Sequence, residues 1–410
     1  MRLSPMSGFK TLDDVVVKDK VVLVRVDINV PYDPETKKIS DSERLREHAK
    51  TIEELMERGA KVVVLAHQGR KGDPDFIHLD QHAQLLSTHI GKKVTFINDV
   101  VGSRAADAIK TLRGGDAILL DNVRFLDDET KEKTAEEHVK SMVVAALSPL
   151  ADMFVNDAFS AAHRSHASVV GFTAALPSVA GRVMEKELRS CQKALHPERP
   201  SIIILGGAKP DDCMKVMKHM LGQGALDKAL TCGLLGQLML KAKGVSLGQP
   251  SESFLEKKQV LRLVPEIEKI HGDFKDRIEI PVDIAEEEGG RRVEKTVGQL
   301  PCEGVIMDIG EKTIERYQEV IRAAKTIVVK GPAGVYEKAG FEKGTRAILE
   351  EMRKAQAYTL LGGGDTSVAV ERLGFDLKSF SYVSIAGGAL ITYLSGKPMP
   401  GVEALERSRR

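Results

Sequence analysis

Short apolar runs recur along the chain, and most end in glycine or in a knot of polar residues. Runs at 21–26, 62–66, 94–97, 117–120 and 153–155 predict strands covered on both faces. Between them the period changes. At 42–58, Leu45, Ala49, Ile52, Leu55 and Met56 fall on one face of a helix that Gly59 closes. Strands alternating with helices predict a parallel, doubly wound sheet with helices on both faces. The second half repeats the pattern, with strands expected at 202–205, 229–232, 278–282, 305–310, 326–330 and 358–361, and a helix at 366–373. A helical stretch at 182–195, after Pro177 and Gly181, serves as a stiff connector between the halves.

At 410 residues the chain exceeds the roughly 250–300 at which one core splits, so two domains are expected. The boundaries are placed at 1–181 for an N-terminal lobe and 182–395 for a C-terminal lobe that opens with a connector helix at about 182–197. Hydrophobic residues at 42% and charged residues at 29% describe an ordinary globular chain, and a net charge of +1 gives no general pull toward nucleic acid or membrane. Any anion site must therefore come from local clustering. Cys191, Cys213, Cys232 and Cys302 stand far apart with no C-x-x-C, which suggests neither zinc nor a disulfide framework and makes a reduced, cytoplasmic setting the expectation. The first residues lack the apolar core of a signal segment, and the apolar stretch at 142–155 is too short to span a bilayer.

The strand ends carry the chemistry. In the first half they bear Asp27 and Asn29, then Arg44 in the next helix, His67 and Arg70, Asn122 and Arg124, and the run 156–166 with Asp157, His163, Arg164 and His166. Parallel connectivity puts these ends on one edge. Arginines and histidines gathered there repel one another unless a small polyanion rich in carboxylate and phosphate oxygens lies among them. Asp27 and Asn29 fix hydroxyls or orient the arginines. His163 and His166 share a helix face, but nothing nearby completes a metal set, and Asp157 orients a basic group or caps a turn.

In the second half the strand ends carry glycine instead: Gly206-Gly207 followed by Lys209, Gly233, Gly310, Gly331-Pro-Ala-Gly334, Gly362-Gly-Gly-Asp-Thr366 and Ala386-Gly-Gly388. A glycine turn with exposed amides and a lysine suits phosphate. Asp365 and Thr366 start a helix whose positive end points at such a ligand; Asp365 holds a Mg²⁺ bridging nucleotide phosphates, or caps the helix. Glu337 accepts from ribose hydroxyls or is a solvated residue at a helix start.

Nine motifs taken in order resemble the phosphoglycerate kinase family: Val26-Asp-Ile-Asn-Val-Pro31, His67-Gln-Gly-Arg70, Asp121-Asn-Val-Arg-Phe125, the stretch 155–166, Gly206-Gly-Ala-Lys209, Asp308-Ile-Gly310, Gly331-Pro-Ala-Gly-Val335, Gly362-Gly-Gly-Asp-Thr366 and the closing 396–405. The resemblance implies two Rossmann-like lobes joined by a hinge helix, the tail 396–410 returning to the first. It implies reversible, Mg²⁺-dependent phosphoryl transfer between 1,3-bisphosphoglycerate and ADP, giving 3-phosphoglycerate and ATP, by a monomer that engages neither nucleic acid nor membrane. Carried over position by position, Asp27, Asn29, Arg44, His67, Arg70, Arg124 and Arg164 match the phosphoglycerate site. Gly206, Gly207, Ala208, Lys209, Gly331, Pro332, Glu337, Gly363, Gly364, Asp365 and Thr366 match the nucleotide site, with Asp365 on the metal. The nucleophile is an ionised oxygen in either direction, so no general base is needed; alignment and charge neutralisation carry catalysis, with lobes closing around the 171–200 connector. Arg44 and Lys209 are expected to share the transferring charge, helped by the amides of Gly387 and Gly388.

The chain also departs from that family. Cys213 stands where a second lysine is usual, Lys330 where an asparagine precedes Gly-Pro, and the triplets at 232–234 and 386–388 read Cys-Gly-Leu and Ala-Gly-Gly. These changes bear on the base slot and the phosphate contacts and leave ATP versus GTP open. An NAD-dependent dehydrogenase needs G-x-G-x-x-G after its first strand, where this chain has Asp27-Ile-Asn-Val-Pro31. A non-catalytic binding module has no use for Lys209, Asp365 and Arg44 together.

Overall fold

The structure, a computed structural model, describes residues 8–408; the N-terminal stretch 1–7, expected not to be a signal segment, lies outside the described residues. The chain divides into two compact units, one running to Leu188 and resuming at Pro398, the other Arg189–Lys397. The division falls within the helix Arg182–Leu195, which carries the chain from one to the other.

In the first unit six strands form one parallel sheet, in the order Val94–Ile97, Ala117–Leu120, Lys61–Leu65, Val21–Arg25, Met153–Asn156, Ser178–Ala180. Successive residues serve opposite faces. Val22, Val24, Val62, Val64 and Val155 pack with Leu45, Ala49, Ile52, Leu55 and Met56 of the helix Glu43–Glu57, the stripe expected from its spacing. Leu23, Val63, Leu65, Ile118 and Phe154 pack on the other side with Ile109, Val143, Val144 and Phe172. Burying each large side chain is worth about 1.5–3 kcal/mol, against at most about 0.7 kcal/mol for ordinary differences in helix propensity. The stripe, not propensity, fixes the helix.

The chain winds from Val21–Arg25 to one side of the sheet and then returns to the other at Met153–Asn156. Ligands in such sheets bind outside the C-terminal strand ends at this reversal. Asp157, just past it, caps as one of its expected roles has it, but the basic group it meets is His48, not one of the 163–166 run. One carboxylate oxygen accepts from Val183 N at 2.8 Å and Met184 N at 3.3 Å, capping the helix Arg182–Leu195, and the other meets His48 Nδ1 at 2.8 Å. The C-terminal helix Pro400–Arg407 packs within this unit: Gly401 N donates to Ala162 O at 2.8 Å, and Ala404 joins Ala158, Ala161, Val169 and Val170.

The second unit has its own six-stranded parallel sheet, ordered Ile278–Glu279, Lys228–Thr231, Ser201–Leu205, Thr326–Lys330, Tyr358–Gly362, Tyr382–Val383. Its reversal lies between Ser201–Leu205 and Thr326–Lys330. The expected strand at 305–310 does not join this sheet. Val305–Ile309 pairs antiparallel with Asp283–Glu288, which pairs antiparallel with Arg291–Thr296, forming a separate three-stranded sheet. The hairpin between the last two went unread because its strands are charged; Lys295 reaches Glu286 across it at 2.5 Å. Its turn, Gly289-Gly290, has both residues at positive φ, the tight hairpin geometry that glycine pairs favour. The strand expected at 278–282 stops at Glu279, two residues before Pro281, which has no amide to donate.

Candidate functional site

The first unit presents a cluster of cations at the C-terminal edge of its sheet. Arg70, Arg124 and Arg164 line a cavity of about 520 Å³ together with His166. Arg124 is aimed by its own turn: Asn122 Oδ1 accepts Arg124 N at 3.1 Å, Asn122 Nδ2 donates to Gln68 O at 2.7 Å, and Arg124 Nη1 donates to Gly69 O at 2.5 Å. Arg70 and Arg164 have no side-chain hydrogen bond or ion pair among the described residues. The carboxylates at this cavity are Asp127 and Glu132. Asp127 is paired to Lys71 at 3.1 Å; Glu132 accepts from Ser165 N at 2.6 Å and lies 3.4 Å from His166 Nε2.

The other expected residues form an adjoining network inside the unit. Arg44 Nη1 is 2.8 Å from Asp27 Oδ2, an oxygen that also accepts from Ser160 Oγ. Asp27 Oδ1 accepts from Asn29 N at 3.2 Å, and Asn29 Oδ1 accepts from Gly69 N at 2.8 Å. Burial works to raise the Asp27 pKa, but the Arg44 charge, with the hydrogen bond from Ser160, outweighs it and holds the carboxylate well below its ordinary value. Asp27 thus orients Arg44, one of its two expected roles.

Arg25 was not foreseen. It lies fully buried inside an otherwise apolar strand, donating from Nε to Ser168 Oγ at 2.8 Å and from Nη2 to His67 Nδ1 at 2.9 Å. A charged residue in an apolar run was the available signal. Near it, burial raises the Glu129 pKa to about 7, opposed by Arg25 and by hydrogen bonds from Ser168. The histidines are not cations here, which corrects the expectation that they add to the repulsion. His67 accepts from Arg25, and burial followed by the Arg25 charge keeps its pKa well below the ordinary value. Burial and then Arg164 lower His163, and burial with Arg164, Arg124 and Arg25 takes His166 to about 3. Arg124 is lowered to about 10, by burial first and then by Arg25 and Arg164, and stays protonated at neutral pH. The positive charge of this edge belongs to the arginines.

In the second unit a cavity of about 510 Å³ is lined by Gly207, Ala208, Pro332, Glu337 and Asp365 of the expected set, with apolar walls from Leu234, Phe254, Val305, Met307 and Val335. This is the size and character of a small-molecule site, mostly apolar with a few polar groups. Phe254 and Met307 were missed, the second because it lies in the misassigned strand. Asp308, also on this cavity, has its pKa raised to about 6 by burial, opposed by the Gly344 amide and Arg292 at 2.8 Å.

The glycines here do something other than expose amides. Gly206 N donates to Lys330 O at 2.8 Å, Gly207 N to Pro332 O at 2.7 Å and Gly233 N to Ala333 O at 3.0 Å. A Cβ on Gly206 would lie 2.2 Å from Pro332 O, and one on Gly331 would lie 2.4 Å from Gly206 O. Three turns are pressed backbone to backbone, and their amides are already bonded within the fold, so these residues shape the cavity floor rather than cradle phosphate. Gly331 N donates to Thr366 Oγ1 at 2.9 Å and that hydroxyl donates to Gly362 O at 2.8 Å, so Thr366 is a buried tie between turns.

Open amides lie elsewhere. The helix Gly364–Arg372 is N-capped by Gly363 without a side chain, leaving the first-turn amides of Gly364 and Asp365 with no intrahelical acceptor. Asp365 sits exposed in that first turn and is not the cap. It is a single hard oxygen donor beside the cavity, which fits a Mg²⁺ that takes one or two carboxylates and fills its shell with phosphate and water. The helix Gly387–Leu394 starts nearby, a Cβ on Gly387 falling 3.8 Å from Gly363 Cα. Lys209 is exposed at the N-cap of the helix Pro210–Gly222 and does not line the cavity. Glu337 is exposed and precedes the helix Lys343–Lys354 by several residues, so it is no helix start. Among the described residues, no helix is long and apolar enough to cross a membrane.

Comparison with known proteins bears on both sites. The family model described as phosphoglycerate kinase matches residues 12–397. A phosphoglycerate kinase from Methanothermobacter thermautotrophicus is 44% identical over 411 residues, covering 100% of each chain. The crystal structure of phosphoglycerate kinase from Pyrococcus horikoshii OT3 superposes with a TM-score of 0.87 at 36% identity, covering 97% of this chain and 99% of that one. The structure of the Coxiella burnetii phosphoglycerate kinase gives 0.82 at 30% identity, covering 98% and 100%. With agreement of this extent in sequence and in fold, the chain belongs to the phosphoglycerate kinase family.

Proposed function

We propose that the chain transfers a phosphoryl group reversibly between 1,3-bisphosphoglycerate and ADP, giving 3-phosphoglycerate and ATP, as a cytoplasmic monomer. The observation that carries the site assignment is the contrast between the cavities: one lined by Arg124 and by Arg70 and Arg164, the latter two without an acceptor among the described residues, the other apolar and lined also by Gly207, Ala208 and Asp365. Arg70, Arg124 and Arg164 suit the phosphate and carboxylate oxygens of phosphoglycerate, which arginine grips bidentately. Asn29, His67 and the Asp27–Arg44 pair lie on the same strand edge and complete that site. The second cavity suits a nucleoside, with Glu337 toward the ribose and the phosphates toward Gly363, Gly364 and Asp365. Mg²⁺ held by Asp365 would neutralise charge on the nucleotide phosphates.

Both reacting oxygens are ionised without help, so the residues act by alignment and by charge, with Arg44 and Lys209 sharing the charge of the transferring group and Gly387 and Gly388 adding helix-end amides. The test is a coupled assay of phosphoryl transfer from ATP to 3-phosphoglycerate, with and without Mg²⁺. No turnover with the metal present would refute the reading.

The phosphoglycerate assignment makes its own prediction. An anion among the arginines favours protonated His166, so saturating 3-phosphoglycerate should move its pKa upward from about 3. Imidazole NMR titrations with and without ligand read this directly; an unmoved His166 would place the ligand elsewhere.

A further inference from the structure

We infer that Lys330 is the cation that holds the nucleotide's phosphate chain in this protein; the inference rests on the nucleotide reading above. Lys330 ends the strand Thr326–Lys330, beside Leu205 of Ser201–Leu205 in register, and so stands at the reversal of strand order where ligands of such sheets bind. Only 8% of the residue is exposed, yet among the described residues its ammonium has no carboxylate, hydroxyl or carbonyl partner. A lysine this buried without a counter-charge is costly unless something negative comes to it.

The side chain runs toward the helix N-terminus at Gly364. A Cβ built on Gly363 would lie 3.9 Å from both Lys330 Cδ and Lys330 Nζ, and one on Gly387 would lie 3.9 Å from Gly364 N. One ammonium and the starts of two helices, Gly364–Arg372 and Gly387–Leu394, therefore gather at one place. Both helix starts offer amides and a partial positive charge. Asp365 is the carboxylate beside them and is the group already assigned to Mg²⁺, so it does not neutralise the lysine once metal is bound.

Position 213 supplies no charge. The Cys213 thiol is buried, donates to Gly206 O at 3.4 Å, and has its pKa raised to about 12, by burial first and against the nearby Lys330 charge. The cation that is missing from the helix Pro210–Gly222 at this position is present on the neighbouring strand.

The test compares ADP with adenosine, which lacks the phosphates. Calorimetry on the full chain should show Lys330→Met weakening ADP about 10–100-fold, the range for losing a hydrogen bond to a charged group. Adenosine affinity should stay within about twofold, and KM for 3-phosphoglycerate should not move. The ligand-free variant should melt no lower than wild type, because an unpaired buried charge has been removed. Lys330→Gln, which keeps a polar end without the charge, should weaken ADP in the same selective way and serves if the methionine variant does not fold. Unchanged ADP affinity, or ADP and adenosine weakened equally, would overturn the inference. Failure of wild type to bind either compound would instead bring down the nucleotide reading itself.

Discussion

Lys209→Ala should lower kcat by about 10²–10³, the loss seen when one donor that stabilises developing charge is removed. Lys209 is exposed at a helix start, and neither an ion pair nor a hydrogen bond holds its side chain among the described residues. Its removal therefore leaves nothing unsatisfied, and stability should stay within about 0.5 kcal/mol. Arg44→Ala should cost a similar factor in kcat for a different structural price. Its partner Asp27 is buried, and without Arg44 that carboxylate keeps, among the described residues, the hydrogen bonds from Ser160 and the Asn29 amide. About 1–3 kcal/mol of stability should go with it. Because the folded-state pKa of Asp27 is depressed, its contribution is present above the ordinary value of 3.8 and is lost as pH falls through the folded one. Acid unfolding of the Arg44 variant should accordingly begin at higher pH than that of wild type. Single-turnover rates with urea melts at two pH values separate the effects; wild-type kcat in both variants would remove the two residues from the chemistry.

How far the residues alone could be read follows from what each position owes to its neighbours in sequence. The helix Glu43–Glu57 was legible because five apolar residues must share a face to be buried, and that need is written at fixed spacing. The parallel strands were legible because both their faces are covered, so they read as unbroken apolar runs. The charged hairpin Asp283–Thr296 was not, since it is held largely by cross-strand pairing and leaves no such run. Placing Val305–Ile309 in the wrong sheet followed from that, and with it the cavity wall at Met307. Arg70, Arg124 and Arg164 could be gathered from topology alone, since parallel strands end on one edge. That the histidines among them are neutral could not, because burial and Arg25 decide it. Gly206 and Gly331 were recognised as special for a reason the structure replaces: the sequence marks a close approach but does not say whether phosphate or another turn is approaching.

That difference yields the second large effect, on Gly206. Its φ is one an alanine can adopt, so the whole cost of Gly206→Ala lies in space. The new methyl would meet Pro332 O at 2.2 Å and Cys232 Sγ at 2.8 Å. The carbonyl cannot swing aside freely, because Gly207 N donates to it at 2.7 Å, and Gly233 N is bonded to the next carbonyl along, Ala333 O. Relief must come from parting the turns, which should cost about 3 kcal/mol or more, at the upper end for overpacked sites. The same movement displaces Gly207 and Pro332 on the cavity floor, so KM for ADP should rise while KM for 3-phosphoglycerate holds. Gly388→Ala is the matched control. Nothing lies within 4 Å of its added methyl, and it sits in the first turn of Gly387–Leu394 with its amide retained. Alanine in place of glycine in a helix favours folding by up to about 1 kcal/mol, so this variant should be as stable as wild type or more so. Guanidinium melts of the pair decide the matter. A Gly206 variant as stable as the Gly388 variant would mean that the turns are not in contact, and that the Gly206 amide is open to a phosphate after all.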